Sequence, residues 1–477
     1  MAKTVVIDPI TRIEGHSKIT VYLDDKDQVA DAHFHVTQFR GFEKFTEGRP
    51  FHEMPAITAR ICGICPVSHL MASSKACDDL MAVKIPPTAV KLRRLMNLAQ
   101  LTQSHALSFF HLSSPDFLLG FDSDPAQRHV LGVAAKYPEI AKDGIWLRKY
   151  GQQVIEWLGG KRVHPAWTVP GGVNAALSDE VRQKILEGIP RGLDIVRRTL
   201  DFWKGAQGGF KDEIEHFANF PSLFLGLVSP EGNLEHYDGF IRVVDSDRKI
   251  IADKLEPTAY HHHIGEASLG DSYLKSPYFK PFGYPGGMYR VGPLARLNCC
   301  DACGTPLADK ELLDFRALRK EGAVLSSFYY HHARLVEILF ALERMEELCN
   351  TADIMNTHVR AVANPNKFEG IGVSEAPRGT LFHHYKINEQ GLITWANLIV
   401  ATGNNNLAMN KGIAQAAKFF VNGKDVKEGA LNRVEAVIRC YDPCLSCSTH
   451  ALGQMPIKLA IVNAKGETVR EISRLSG

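Results

Sequence analysis

No apolar run in this sequence approaches the ~20 residues that a membrane-spanning helix needs. The N-terminus, MAKTVVIDPITRIEGH, lacks the apolar stretch of a secretory signal. There is no glycine-rich phosphate loop of the GxGxxG or Walker type, so this chain is not itself expected to bind NAD. Net charge is small, +2 over 477 residues, which excludes a global field for nucleic acid or an anionic membrane. The densest basic spots, Arg93-Arg94 and Arg197-Arg198, lie inside helical patterns and read as solvated helix faces. No internal repeat or low-complexity linker appears. Cysteine is sparse, ten in all, which rules out a disulfide scaffold. A soluble, cytoplasmic protein is expected, long and hydrophobic enough (45%) for a large core.

What is present is organised around two Cys-x-x-Cys pairs near opposite ends. The first is Arg60-Ile61-Cys62-Gly63-Ile64-Cys65-Pro66-Val67-Ser68-His69, and the second is Asp442-Pro443-Cys444-Leu445-Ser446-Cys447-Ser448-Thr449-His450. Two thiolates three residues apart can grip one ion, and two such pairs make a four-thiolate site. Soft sulfur donors select zinc, iron–sulfur iron, copper(I) or nickel. Spacing alone leaves structural zinc, an iron–sulfur site and a redox dithiol open. Structural zinc modules are local, however, whereas this site would close across nearly the whole chain. Glu14, in Arg12-Ile13-Glu14-Gly15-His16, is a surface residue in the plain reading and a proton carrier if buried beside the metal.

The pattern predicts strands over 4–38, with a turn at Asp24-Asp25-Lys26-Asp27, and helix from Met54 to Met81 across the first pair. A long helix is predicted from Pro87 to about Leu112, with Val90, Leu92, Leu95, Leu98 and Leu101 as its apolar stripe. Further helices are expected at about 144–158, 179–204, 309–320, 407–420 and 430–441, with the longest over 325–351. Residues 207–305 are mixed, and 456–472 read as a hairpin. The expected fold class is mainly α with peripheral β strands (α+β), a long-helix bundle around a buried metal site. Residues 1–450 would form the catalytic body and 451–477 an extension.

RICGIC…SH and DPCLSCSTH, together with RIEGH, FRGFEKF and EAPRG, make the chain resemble the large, catalytic subunit of nickel–iron hydrogenases. The resemblance covers essentially the whole chain. The segments around both cysteine pairs are most similar to the soluble, bidirectional, NAD-reducing group.

That resemblance implies reversible heterolytic splitting of dihydrogen. Cys62 and Cys444 would be terminal nickel ligands, and Cys65 and Cys447 would bridge nickel to an iron carrying cyanide and carbon monoxide. Glu14 would pass protons from Cys444. Arg378 would lie over the open metal face, oriented by Asp116 and Asp442. Thr402 would help hold a cyanide, and His69 would hydrogen-bond the sulfur of Cys65. Glu43, the Leu398 carbonyl and His450 would bind magnesium. The implied partners are an iron–sulfur small subunit, flavin-containing diaphorase subunits that deliver electrons to NAD, and a maturation endopeptidase that cuts after His450. The extension would hold the second cysteine segment outside until the metal is loaded. The alternatives are a deazaflavin- or heterodisulfide-reductase-linked hydrogenase, a hydrogen-sensing or assembly subunit, and a structural metal protein. His261-His262-His263 and His383-His384 read as solvent-facing or packed, and Cys299, Cys300 and Cys303 as buried thiols.

Overall fold

Two nearly all-buried helices form the spine: Pro87–Leu107 and Tyr330–Cys349 pack on each other. The first also packs on Pro138–Gly159, and the second on Asp179–Ala206. This computed structural model describes residues 3–450, 457–462 and 468–474. The Asp179–Ala206 helix shows why such segments are helical. Ser178 Oγ accepts a hydrogen bond from the Val181 amide, and Asp179 and Glu180 sit in the first turn, against the positive end of the helix dipole. Ile185, Ile189, Val196, Leu200 and Trp203 recur on the buried face. At 28 residues this helix exceeds Tyr330–Cys349, which has 20 and was expected to be the longest. The latter starts late because a short 3-10 turn, Ser327–Tyr329, precedes it, capped by Ser326 Oγ.

The N-terminal strands appear as expected. Lys3–Ile7, Ser17–Leu23 and Val29–Val36 make an antiparallel sheet, with Ile19, Val21 and Leu23 facing inward. Asp24 Oδ1 closes the turn by accepting from the Lys26 and Gln28 amides. Ile457–Val462 and Thr468–Arg474 pair as the expected antiparallel hairpin. A mainly α body with β strands around a long-helix core is therefore the fold.

Two larger sheets, and two of two strands each, lie within the body. Leu223–Val228, Phe240–Val244 and Ile250–Leu255 are joined in parallel by Tyr289–Arg290. Glu369–Ala376, Gly379–Ile387 and Ile393–Ile399 form an antiparallel meander that the sequence pattern does not announce. Its first two strands are buried on both faces, so they show no alternation. This meander packs on the Pro66–Met81 helix at very short range. A Cβ on Gly372 would stand 1.9 Å from the Ala72 carbonyl oxygen, and one on Gly370 would stand 2.4 Å from that of Ala76.

The helix expected from Met54 to Met81 is two helices with the cysteines between them. Met54–Thr58 runs into a 3-10 turn, Ala59–Ile61, the chain extends at Cys62, and Pro66 begins Pro66–Met81. Proline fits a first helical turn because it has no N–H to leave unpaired. The helix from Pro87 continues past Leu107 as a π-helical turn, Ser108–Ser113, and then as Ser114–Leu119.

Candidate metal centre

The break after Ile61 is what aims the first cysteine pair. Cys62 is extended, at φ −139° and ψ 141°, and its Sγ accepts from the Ile64 and Cys65 amides at 3.1 and 3.3 Å. The second pair follows the Glu428–Tyr441 helix. That helix stops at Asp442, which is left-handed at φ 53°, and Pro443 prevents its resumption. Thr402 Oγ1 accepts from the Cys444 amide at 2.9 Å and so fixes the loop.

The two pairs converge. Cys62 Sγ lies 3.3 Å from Cys444 Sγ, Cys65 Sγ 3.5 Å from Cys447 Sγ, and Cys444 Sγ 2.7 Å from Cys447 Sγ. All four sulfurs lie within 4.8 Å of one another, and none of the cysteines is more than 4% exposed. Hydrogen bonds from the neighbouring thiols, Cys444 first, hold Cys62 well below the usual thiol range. Burial pushes Cys444 and Cys447 well above it. The neighbours thus stabilise one thiolate, but charging all four in this dry pocket requires a cation. A soft transition metal fits that donor set.

Around the sulfurs, Glu14 Oε2 accepts from Cys444 Sγ at 3.1 Å and from the Ser446 amide at 3.0 Å. The Leu445 amide donates to the Glu14 carbonyl at 3.1 Å. Gly15, at φ +92°, permits this approach, because a Cβ there would stand 2.6 Å from Leu445 Cβ.

Arg378 occupies the tip between the first two strands of the buried meander. Its Nε donates to the Asp442 carbonyl, its Nη1 lies 3.3 Å from Ser104 Oγ, and its Nη2 forms an ion pair with Asp442 Oδ2 at 3.0 Å, out of line for a hydrogen bond. Although its burial opposes charge, the nearby carboxylate of Asp442, ahead of the surrounding cysteine sulfurs, holds its guanidinium well above the ordinary arginine value.

Two implied contacts need correction. Asp116 does not orient Arg378. Its carboxylate binds Arg12, Arg439 and Asn432, and Ser104 supplies the second side-chain contact to Arg378. Ser104 had no signal of its own in the sequence, as one serine on a buried helix face. His69 Nδ1 pairs with His383 Nε2 at 3.1 Å, and no hydrogen bond joins His69 to Cys65 among the described residues.

Glu43, Leu398 and His450 line one small cavity together with Glu266 and Lys275. Glu43 Oε1 accepts from the Leu398 amide at 2.9 Å, and burial raises its carboxyl to about 7. His450 Nδ1 accepts from the Phe42 amide at 3.4 Å, while its Nε2 is buried without a protein partner. His450 is buried, and residues 451–456, which join it to the expected extension, lie outside the described residues. His383 and His384 are packed, bonded to Tyr385 and to Tyr260 and Glu369. His261 and His262 are exposed, and Cys299, Cys300 and Cys303 are buried.

A buried tetrathiolate closed across almost the whole chain, with a carboxylate on one sulfur and a charged guanidinium alongside, is the centre of a metal–thiolate redox enzyme. The profile of the nickel-dependent hydrogenases matches residues 40–129 and 244–450, and a profile described as HoxL-like matches residues 4–39. The chain is 42% identical to the beta subunit of the NAD-reducing hydrogenase HoxS of Cupriavidus necator, over 99% of this chain and all of that one. It is also 42% identical to a vhu-type F420-non-reducing hydrogenase chain of Methanococcus voltae, over 87% of this chain and 98% of the relative. A solved NAD+-reducing [NiFe]-hydrogenase in the H2-reduced state superposes with a TM-score of 0.91 at 44% identity, covering 94% of this chain and 100% of that one. The chain belongs to the nickel-dependent hydrogenase family and is the catalytic subunit type. Membership implies a nickel–iron centre, and the four-cysteine cluster fits it.

Proposed function

We propose that this chain is the hydrogen-activating subunit of a cytoplasmic, NAD-linked hydrogenase that interconverts dihydrogen with two protons and two electrons. The observation that carries the chemistry is the Glu14 carboxylate against Cys444 inside the four-thiolate cluster. What favours NAD is the relative of that activity, matched end to end.

Cys62, Cys65, Cys444 and Cys447 would together hold the nickel–iron centre, with cyanide and carbon monoxide completing its iron. When bound, that centre would supply the Lewis acidity that polarises dihydrogen for heterolytic splitting. Cys444 Sγ donates to Glu14 Oε2 at 3.1 Å, so a proton carried on that sulfur would have the carboxylate as its acceptor. The Ser446 amide donates to that same oxygen at 3.0 Å and holds the carboxylate in place beside the sulfur. Arg378, fixed by Asp442 and Ser104, supplies a positive charge that needs no reorganisation as charge develops. Thr402 Oγ1 already accepts from the Cys444 amide, which leaves its own hydrogen free to donate to a cyanide nitrogen.

Electrons would leave through a small iron–sulfur subunit, then through a flavin-containing diaphorase. Supporting this, the four thiols are the sole cluster of metal-ligating side chains found among the described residues. Glu43, the Leu398 carbonyl and the unpartnered His450 Nε2 would bind magnesium, whose charge would offset the buried carboxylate. A maturation endopeptidase would cut after His450, separating body 1–450 from extension 451–477. Two findings support that boundary: the family match ends at residue 450, and the solved chain, matched in full, covers 94% of this one.

A second reading is a hydrogenase linked to deazaflavin or heterodisulfide reduction; the F420-non-reducing relatives favour its heterodisulfide form, since their name speaks against a deazaflavin acceptor. Purifying the complex from its native cell and supplying dihydrogen separates the two. Reduction of NAD with a flavoprotein and an iron–sulfur subunit co-purifying is expected. A complex that reduces heterodisulfide or deazaflavin but not NAD refutes the linkage.

A further inference from the structure

Two chain segments far apart in sequence meet at the proton-transfer step. Residues 11–15 bring Glu14, and residues 439–447 bring Cys444. Both are tied to one buried carboxylate, Asp116. Arg12 Nη1 donates to Asp116 Oδ2 at 3.0 Å and to the Leu112 carbonyl at 2.7 Å, while its Nη2 reaches Asp116 Oδ1 and, at 3.2 Å, Asn432 Oδ1. Arg439 Nε donates to the same Asp116 Oδ2 at 3.0 Å. A second strap runs parallel: Thr11 Oγ1 and Arg439 Nη1 both donate to Glu435 Oε2 at 2.7 Å, and Arg439 Nη1 also reaches the Thr11 carbonyl at 3.2 Å.

The geometry is costly to hold, which marks it as built. Arg12 has φ +56°, a conformation that a non-glycine residue keeps only when its surroundings impose it. The turn that presents Leu112 is π-helical, a local widening that recurs at functional sites. Arg12 lies two residues before Glu14, and Arg439 five before Cys444. The bonds from Leu445 and Ser446 join Glu14 to the second segment directly, and the Asp116 anchor joins the same two segments a few residues away.

We propose that Arg12 and Asp116 are positioning residues that set the distance between Glu14 Oε2 and Cys444 Sγ without touching the metal. This rests on the reading of Glu14 as the proton acceptor. Asp116→Asn removes the shared counter-charge of three arginines, Arg12, Arg128 and Arg439, and risks misfolding, so the decisive variant is Arg12→Gln, at a side chain 16% exposed.

The test uses the nickel-loaded complex, with hydrogen–deuterium exchange and infrared spectra read together. Arg12→Gln is expected to keep its nickel and the metal's cyanide and carbonyl bands. Its exchange should fall on the order of 10²-fold, as for a reacting group displaced by about 1 Å. The carboxyl band of Glu14, identified by its loss in Glu14→Gln, should shift, and Arg12→Lys, a single point donor, should restore part of the rate. Wild-type exchange with an unmoved carboxyl band in Arg12→Gln, while Glu14→Gln is blocked, overturns the positioning role alone. Loss of nickel in Arg12→Gln makes the residue structural and overturns it too. Free exchange in Glu14→Gln brings down the gate reading first and this inference with it.

Discussion

A single methyl group at Gly372 should separate the two halves of the metal site. The strand Glu369–Ala376 leads directly into Pro377 and Arg378, and the helix it packs on, Pro66–Met81, begins right after Cys65. A Cβ at Gly372 would meet the Ala72 carbonyl oxygen at 1.9 Å and the Ala76 amide nitrogen at 2.4 Å. Contacts under 3.0 Å are essentially never tolerated, so strand and helix must part by at least the difference, 1.1 Å. The obstructing atoms are helix backbone and cannot rotate away. Overpacking of this kind costs about 1–3 kcal/mol of stability. A displacement near 1 Å between Arg378 and the Cys65 sulfur should cost turnover on the order of 10²-fold. Gly372→Ala should therefore melt earlier and oxidise dihydrogen far more slowly, even where nickel is present. Thermal unfolding and dye-coupled hydrogen oxidation on the same preparation check both effects. A variant with the parent's melting midpoint and rate would refute the claim that this helix–sheet distance sets the site.

Arg378→Lys should assemble with nickel yet lose on the order of 10²–10³-fold in turnover. One ammonium cannot hold Asp442 and Ser104 together, and a rate close to the parent's would make Arg378 structural. Cys444→Ser replaces a soft thiolate with a poorly acidic hydroxyl, and elemental analysis should show nickel lost or the protein inactive; full nickel with full activity would defeat the ligand assignment. Asp271 gives a pH test. Hydrogen bonds from His35 first, and from His33, hold its carboxyl down at about 2. Desolvation pulls His33 down, but the carboxylates of Asp31 and Asp271 leave it raised on balance. The depressed Asp271 contributes stability above its unfolded value of 3.8 that is lost as pH falls towards about 2. The raised His33 contributes stability below 6.5 that is lost as pH climbs through its folded value. Asp271→Asn should therefore lower the melting midpoint most between about pH 4 and 6.5; a deficit independent of pH would contradict the pairing. Intact mass of active, nickel-loaded protein should match a chain ending at His450; active chain ending at Gly477 sinks the proposed cut.

Local signals in the sequence are legible where chemistry and neighbours lie close together. The two cysteine pairs, the alternation of Ser17–Leu23 and the Ser178-capped amphipathic helix need only a few residues to declare themselves. Glu14 stands out through its motif, and the structure brings it to Cys444. What escapes is set by tertiary contact. The meander that carries Arg378 is buried on both faces of its first two strands and shows no alternation. The interruption at Cys62 sits inside a continuous helical pattern, because two amides bond its sulfur and not a carbonyl one turn earlier. Asp116 and Ser104 lie on the same run of helix, on either side of its π-helical turn, yet of the two only Ser104 touches Arg378. Three arginine side chains converge on Asp116 from residues 12, 128 and 439, a pairing that no sequence spacing encodes.

Nickel and iron content of the purified complex, with an infrared spectrum of the same sample, tests the central claim most directly. The expected result is about one nickel and one iron at the four cysteines, counted apart from the partner's clusters, as the donor set of a nickel–iron site requires. Cyanide and carbonyl stretches that move when dihydrogen is admitted are expected with them. Zinc in place of nickel, with no such stretches and no hydrogen-dependent change, would contradict it.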